Sequence, residues 1–199
     1  MKTDSRIKLI QHKYNQGPNL ARIHGVLSSK SKYIISIDPD DEIHPNGAEE
    51  SYNAARKLQA DVLEFRIMVI DQNKTIPNWK PCRYNYTKKS QIYSRILQFK
   101  YYIINWNTCK KIIKTKLYQK SVNFLYPYVE NKKICNAEDL LHCSVIFIFM
   151  KKFICTQILT YIYYFALNDS SYFYSYQPRR IKVYQQSYVR NLVKYFYSN

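Results

Sequence analysis

The sequence predicts an α/β fold, a mostly parallel sheet flanked by helices, with a basic helical extension at the C-terminal end. Three observations carry that prediction. Along residues 1–71, stretches that alternate apolar and polar side chains are interleaved with stretches whose apolar residues recur every three or four positions, the periods of a strand and of a helix. A short apolar run, Tyr33-Ile34-Ile35-Ser36-Ile37, ends abruptly in Asp38-Pro39-Asp40-Asp41, the pattern of a buried strand whose carboxyl end opens into a polar site. The formal charge of +17 sits wholly in the later part of the chain: residues 1–71 hold ten basic and ten acidic side chains, and residues 72–199 hold 21 and four.

The elements follow in order. Arg6 to Gln11 alternates and reads as a strand. Pro18 to Ser29 carries Leu20, Ile23 and Leu27 at helical spacing, and Pro18 suits a first helical turn, where its missing N–H costs nothing. Tyr33 to Asp38 is the next strand. Asn46 with Glu49 forms a capping-box pattern, opening a helix that turns Tyr52, Ala55 and Leu58 inward. Leu63, Phe65, Ile67 and Val69 then alternate as a strand. Strand, helix, strand, helix, strand implies right-handed crossovers and a parallel sheet. Further on, Pro77 to Pro81 reads as a loop, Lys89 to Tyr102 as a helix with Ile92, Ile96 and Phe99 inward, Glu138 to Met150 as the most buried helix, and Thr156 to Phe165 as a Tyr-rich strand. From Ile181 onward, Ile181, Tyr184, Tyr188, Leu192 and Tyr195 form an apolar stripe with Arg190 and Lys194 outside. This amphipathic helix is expected to dock on the domain; the other use of such a helix is binding a membrane surface. The division is therefore one domain over residues 1–175 and a C-terminal helix over 176–199.

With 199 residues, 46% of them hydrophobic, the chain can bury a sizeable core as one domain. Five cysteines (Cys82, Cys109, Cys135, Cys143, Cys155) in odd number and without C-x-x-C spacing argue against a disulfide scaffold or a zinc ribbon. His12, His24, His44 and His142 read as ordinary structural histidines. A membrane span needs ~20 apolar residues, and the best candidate, Cys143 to Met150, is stopped by Lys151-Lys152. The basic, Tyr-rich part could attract nucleic acid, anionic headgroups or a phosphate-bearing acceptor. No nucleic-acid motif accompanies it, which places that partner last.

The carboxylates carry the chemistry. If the backbone stays extended through Pro39, Asp38 and Asp40 project to the same side, and Pro39 biases Asp38 toward extended geometry. Mg²⁺ or Mn²⁺ takes one or two protein carboxylates and leaves its other positions to water and phosphate. Asp-Pro-Asp-Asp is equally the composition of a polar turn before a helix, and these residues by themselves leave both readings open.

Their context resolves the choice by resemblance. Asn15-Gln16-Gly17-Pro18-Asn19-Leu20-Ala21-Arg22-Ile23-His24-Gly25 followed by Lys32 to Asp41 resembles the N-x-G-x-x-x-A-R-N-x-G, strand, D-x-D-D series of family 2 glycosyltransferases, which share the GT-A nucleotide-diphospho-sugar fold. Ala60-Asp61-Val62-Leu63 looks like that family's "gADvv" strand entry, Trp106-Asn107-Thr108-Cys109-Lys110 its W-N-x-x-[YF]-K segment, and Ala137-Glu138-Asp139-Leu140-Leu141 its G-E-D motif. Ile23 stands where the family has Asn, and Ala137 where it has Gly. The resemblance implies inverting, metal-dependent transfer from a nucleotide-sugar donor to a hydroxyl of a glycan, lipid or protein, at the cytoplasmic face of a membrane or in the cytoplasm, with peripheral membrane association as a further expectation. It implies Mn²⁺ or Mg²⁺ held by Asp38, Asp40 and Asp41, nucleotide contacts from Arg22 and Asp38, and Asp139 as the general base, with Glu138 as its less favoured alternative. It also implies a partial fold, because the family's first strand, with its nucleotide loop, and its second strand have no counterpart before Arg6. The second reading is therefore a truncated, inactive or partner-dependent transferase-like chain.

Overall fold

The computed structural model describes residues 4–71, 74–76, 85, 106–165 and 179–198. In chain order these form α1 (Pro18–Ser28), β1 (Tyr33–Ile35), β2 (Glu42–Ile43), α2 (Gly47–Lys57), β3 (Val62–Asp71), β4 (Lys74–Ile76), a 3-10 turn (Thr108–Lys110), β5 (Lys111–Lys114), α3 (Thr115–Val129), α4 (Glu138–Phe149), β6 (Phe153–Phe165) and α5 (Arg179–Ser198). The expected loop at Pro77 to Pro81 and helix at Lys89 to Tyr102 lie outside the described residues.

The strands make one sheet in the order β1-β5-β3-β6-β2, with β4 also on β3. Its spine is the parallel pair β3 and β6, which runs from Val62 opposite Phe153 to Asp71 opposite Phe165 with register shifts on either side of Arg66. The other pairings are antiparallel, so the sheet is mixed rather than mostly parallel. The cause is local. The short strand β5 inserts between β1 and β3, antiparallel to both, and two reversals in series leave β1 and β3 running the same way. The strand–helix–strand reading thus has the right directions and lacks the strand between.

β3 is covered along one face and, at its start, on the other. Leu63, Phe65, Ile67 and Val69 point into a cluster with Ala55, Ala60 and Tyr161, while Val62 joins a larger cluster built by α1, α3, α4 and α5. Each such fully buried aliphatic or aromatic side chain contributes roughly 1.5–3 kcal/mol. The first turn of α2 seats directly on β6: a Cβ added to Gly47 would lie 2.5 Å from Thr160 Cα and 2.8 Å from its carbonyl oxygen. Only glycine permits that approach, which is fastened by a hydrogen bond between the Ser51 and Thr160 hydroxyls.

Four local expectations are corrected. Arg6 to Gln11 is not a strand: Ile7 and Leu9 are 76% and 88% exposed, and among the described residues no strand pairs with this segment, so alternation has no sheet to act on. The Asn46–Glu49 capping box does not form, because Asn46 has helical φ/ψ and makes no side-chain cap bond, whereas a capping side chain needs an extended residue. In α1 the buried stripe is Leu20, Ile23 and Val26, and Leu27 is exposed. In α5 it is Val189, Val193 and Phe196, while Tyr184 and Tyr195 are exposed. The tyrosines stay at the rim because their hydroxyls need partners: Tyr188 donates to the Tyr128 carbonyl at 2.6 Å and Tyr197 to the Ser144 carbonyl at 2.8 Å. The helix docks on the domain.

Cys109, Cys135 and Cys143 are free and buried, and Cys155 is disulfide-bonded. Among the described residues no helix is long and apolar enough to cross a membrane.

Candidate active site

Three segments far apart in sequence converge beyond the carboxyl end of β1. The second turn of α1 supplies Arg22, the turn after β1 supplies Asp38, and the first turn of α4 supplies Glu138 and Asp139. The guanidinium of Arg22 donates to Asp139 Oδ1 at 3.0 Å and to Asp38 Oδ1 at 3.4 Å, and it lies 3.8 Å from Glu138 Oε1. Burial opposes the Arg22 cation, but the carboxylates beside it, Asp139 first and then Glu138, outweigh it, so its proton is held more firmly than usual. Glu138 moves the other way. Burial and the adjacent Asp139 raise its pKa against the pull of Arg22, favouring the neutral acid more than water does.

The 3-10 turn completes the site. Thr108 Oγ1 donates to Asp139 Oδ1 and Cys109 Sγ to Asp38 Oδ2, at 3.1 Å for the thiol, while the Asn107 side chain caps the turn through Cys109 N–H. The donors from Arg22 and Thr108 both use Asp139 Oδ1. Burial pushes the Cys109 thiol up, with Asp38 and Asp139 adding to it, so it serves as a donor rather than a thiolate. Trp106 to Lys110 stood out in the sequence only as a motif; that Thr108 orients a carboxylate had no local signal, because its partner lies 31 positions away.

The acidic run is not extended. Asp41 N–H bonds to the Asp38 carbonyl at 3.1 Å and closes a turn through Pro39 and Asp40, so the period-two argument for Asp38 and Asp40 does not apply. Asp38 is half-buried, Asp40 is exposed, and Asp41 is buried. Asp41 faces the sheet: Tyr161 donates to Oδ2 at 2.6 Å and Tyr164 N–H to Oδ1 at 3.0 Å. The Tyr161 hydroxyl also accepts from Asp38 N–H at 3.1 Å. One buried tyrosine on β6 thereby holds both ends of the turn. Among the described residues no group of three or more His, Cys, Asp or Glu side chains stands together as a metal cluster. Hard carboxylate oxygens from Asp38 and solvent-facing Asp40 do match a cation that takes only one or two protein ligands.

Ala137, directly before the acidic pair, has φ 64° and ψ 17°, the left-handed region that costs a non-glycine residue about 1–2 kcal/mol. Ala137→Gly is therefore expected to raise stability by about 1 kcal/mol, read as a higher denaturation midpoint at unchanged slope. A lower midpoint would contradict the assignment.

Behind the site, a buried polar chain links α1, α3 and α4. Tyr118 and His142 Nδ1 are 2.9 Å apart, and His142 Nε2 and Asn19 Oδ1 are 3.0 Å apart. Burial, reinforced by the Arg22 cation, pushes the His142 pKa down to about 3. The folded state then binds fewer protons than the unfolded state, whose histidine titrates near 6.5. Stability from this residue is complete above pH 6.5 and is lost as the pH falls from there toward 3, about 2 kcal/mol by pH 5. Melting curves at pH 7 and pH 5 check this: His142→Gln should flatten the acid-side fall relative to the parent, and an equal fall in both proteins would contradict it.

Comparisons with known proteins bear on the family and the fold. A family model described as Glycosyl transferase family 2 matches residues 1–123. No curated protein matches the sequence. Among solved structures, S. aureus TarS residues 1–349 in complex with UDP-GlcNAc is similar at TM-score 0.58 and 16% identity, over 81% of this chain and 43% of that one. The UDP complex of the same TarS fragment aligns at TM-score 0.54 and 16% identity, over 76% and 41%. Full TarS aligns at TM-score 0.56 and 16% identity, over 78% and 26%. The chain spans less than half the length of these structures, which share its fold.

Proposed function

Because the chain belongs to glycosyl transferase family 2, we propose that it moves a sugar from a nucleotide-sugar donor to a hydroxyl acceptor, inverting the anomeric centre. The observation that carries this reading is the convergence of Arg22, Asp38 and Asp139 from three separate elements onto one point. UDP and UDP-GlcNAc bound to TarS, a protein of the same fold, support a uridine-diphosphate sugar as donor.

The roles follow from the contacts. Asp139 takes the acceptor proton through Oδ2 while Thr108 and Arg22 hold Oδ1. The acceptor oxygen attacks the anomeric carbon, the bond from that carbon to phosphate breaks, and the nucleoside diphosphate departs. Arg22, fixed among carboxylates, places a cation where the diphosphate develops charge. Asp38 and Asp40 would hold Mn²⁺ or Mg²⁺, which supplies further charge for the leaving group. Asp41 anchors the turn that presents them.

Thermal denaturation of the purified chain with UDP and Mn²⁺ tests the donor site. A ligand at 100 times its dissociation constant stabilises by about 2.7 kcal/mol, so a clear rise in melting temperature is expected, absent in Asp40→Ala. An unchanged curve at millimolar ligand would overturn the donor assignment.

A further inference from the structure

We infer that the face built by α3 and α5, remote from the site, docks on an anionic lipid bilayer. α3 presents Lys116, Lys120, Phe124 and Tyr128 four residues apart, one stripe of the helix. Lys116 and Lys120 are exposed, and Phe124 is 38% exposed. α5 lays Tyr195, 53% exposed, beside it, 6.2 Å from the Tyr128 ring. Phe149, at the end of α4, closes the cluster 5.4 Å from Phe124, with the Lys120 ammonium 4.5 Å above its ring. Lys151 and Lys194 are exposed at the margins.

Aromatic rings at the surface fringed by lysines are the composition that settles at the water–headgroup boundary, where the rings enter the interface and the ammonium groups meet lipid phosphate. Acids are few here: Glu130, Glu138, Asp139 and Asp169 are the only ones in residues 72–199, and Asp61, which accepts from the Lys151 and Lys152 N–H groups at the margin, is paired with Lys114. Glu138 and Asp139 are committed to the site, and Glu130 follows the end of α3.

The same composition could recruit nucleic acid, but the rings are already engaged. Phe124 packs against Tyr128, Phe149 and Phe196 with ring centroids 5.1–6.1 Å apart, leaving little open π-face for a base to stack on. The patch lies at the opposite end of α4 from Asp139, about 15 Å along the helix axis at 1.5 Å per residue. Docking there leaves the site open.

Co-sedimentation of the full chain with phosphatidylcholine vesicles, with and without phosphatidylglycerol, tests the inference. Binding is expected only with phosphatidylglycerol present and should weaken with salt. Each lysine near an anionic surface contributes about fivefold in partition, so Lys116→Glu combined with Lys120→Glu should lower binding by about 25-fold or more. Tyr195→Ser, at an exposed position, should weaken it without a change in charge. Lys8→Glu with Lys13→Glu makes the same change in net charge on an exposed segment elsewhere and should leave most of the binding. Circular dichroism confirms that each variant is folded. If any of these exposed-site variants fails to fold, sedimentation of the parent under a salt titration, with soluble oligonucleotide as competitor, decides the question. The inference is overturned by absence of binding to phosphatidylglycerol vesicles, by equal loss in both charge-reversal pairs, or by preference for the oligonucleotide.

Discussion

Asp139→Asn is expected to lower turnover by about 10²–10⁴-fold, the usual contribution of a positioned general base, with donor affinity near the parent value and a lower melting temperature, because Arg22 keeps only Asp38 and Glu138 as charged partners. Asparagine keeps the shape of the side chain and an oxygen for the donors from Thr108 and Arg22, but it cannot take a proton from an acceptor. Loss of turnover in protein that is still folded distinguishes a base from a helix-terminal carboxylate that merely complements the dipole, whose loss would appear in stability alone. Steady-state kinetics with a UDP-sugar, paired with a thermal melt, reads both quantities. Turnover within a few-fold of the parent would remove Asp139 from the chemistry and return attention to Glu138.

Arg22→Met is expected to destabilise the fold by about 3 kcal/mol at neutral pH, the low end of the range for removing one partner of a buried ion pair. The low end applies because the partners are unequally desolvated: the Arg22 side chain is 12% exposed, Glu138 18%, Asp139 32% and Asp38 44%, so Asp38 recovers water when its partner is lost. Glu138 does not. Its proton affinity is already raised by burial and by Asp139, and loss of the cation raises it further. A carboxylate whose folded pKa lies above its unfolded value stabilises the fold least when ionised, so the deficit of Arg22→Met should narrow as the pH falls through the carboxylate range. Arg22→Lys should fall between, since an ammonium restores charge without the fork that reaches Asp38 and Asp139 together. Urea denaturation at pH 7 and pH 4 would expose a deficit that does not depend on pH, which would contradict an electrostatic origin.

Legibility in the sequence followed how local each cause was. Strands and helices whose burial depends on near neighbours were readable: Leu63, Phe65, Ile67 and Val69 alternate because a single face of β3 receives them, and Pro18 marks the start of α1. Ala137 was visible as a departure from the family's glycine, and its positive φ gives that departure a physical meaning. The insertion of β5 between β1 and β3 was not readable, because four residues with lysines at both ends carry no strand period. Nor was the turn at Asp38 to Asp41. What bends it is the Tyr161 hydroxyl, more than a hundred positions away, against which Pro39's preference for extended neighbours was a weak guide. The acidic and basic members of the site could be named one by one from their motifs. Their mutual geometry, above all Thr108 on Asp139 and Cys109 on Asp38, belongs to the fold.

The account rests on direct displacement at the anomeric carbon driven from Asp139, and one measurement reaches it without knowledge of the natural acceptor. Proton NMR of the chain incubated with UDP-GlcNAc and Mn²⁺ follows the anomer of sugar released when water stands in for the acceptor hydroxyl. The donor is α-linked, so the β anomer should appear first, before mutarotation, and should vanish in Asp139→Asn. Initial release of the α anomer, or release that survives the substitution, would contradict the account.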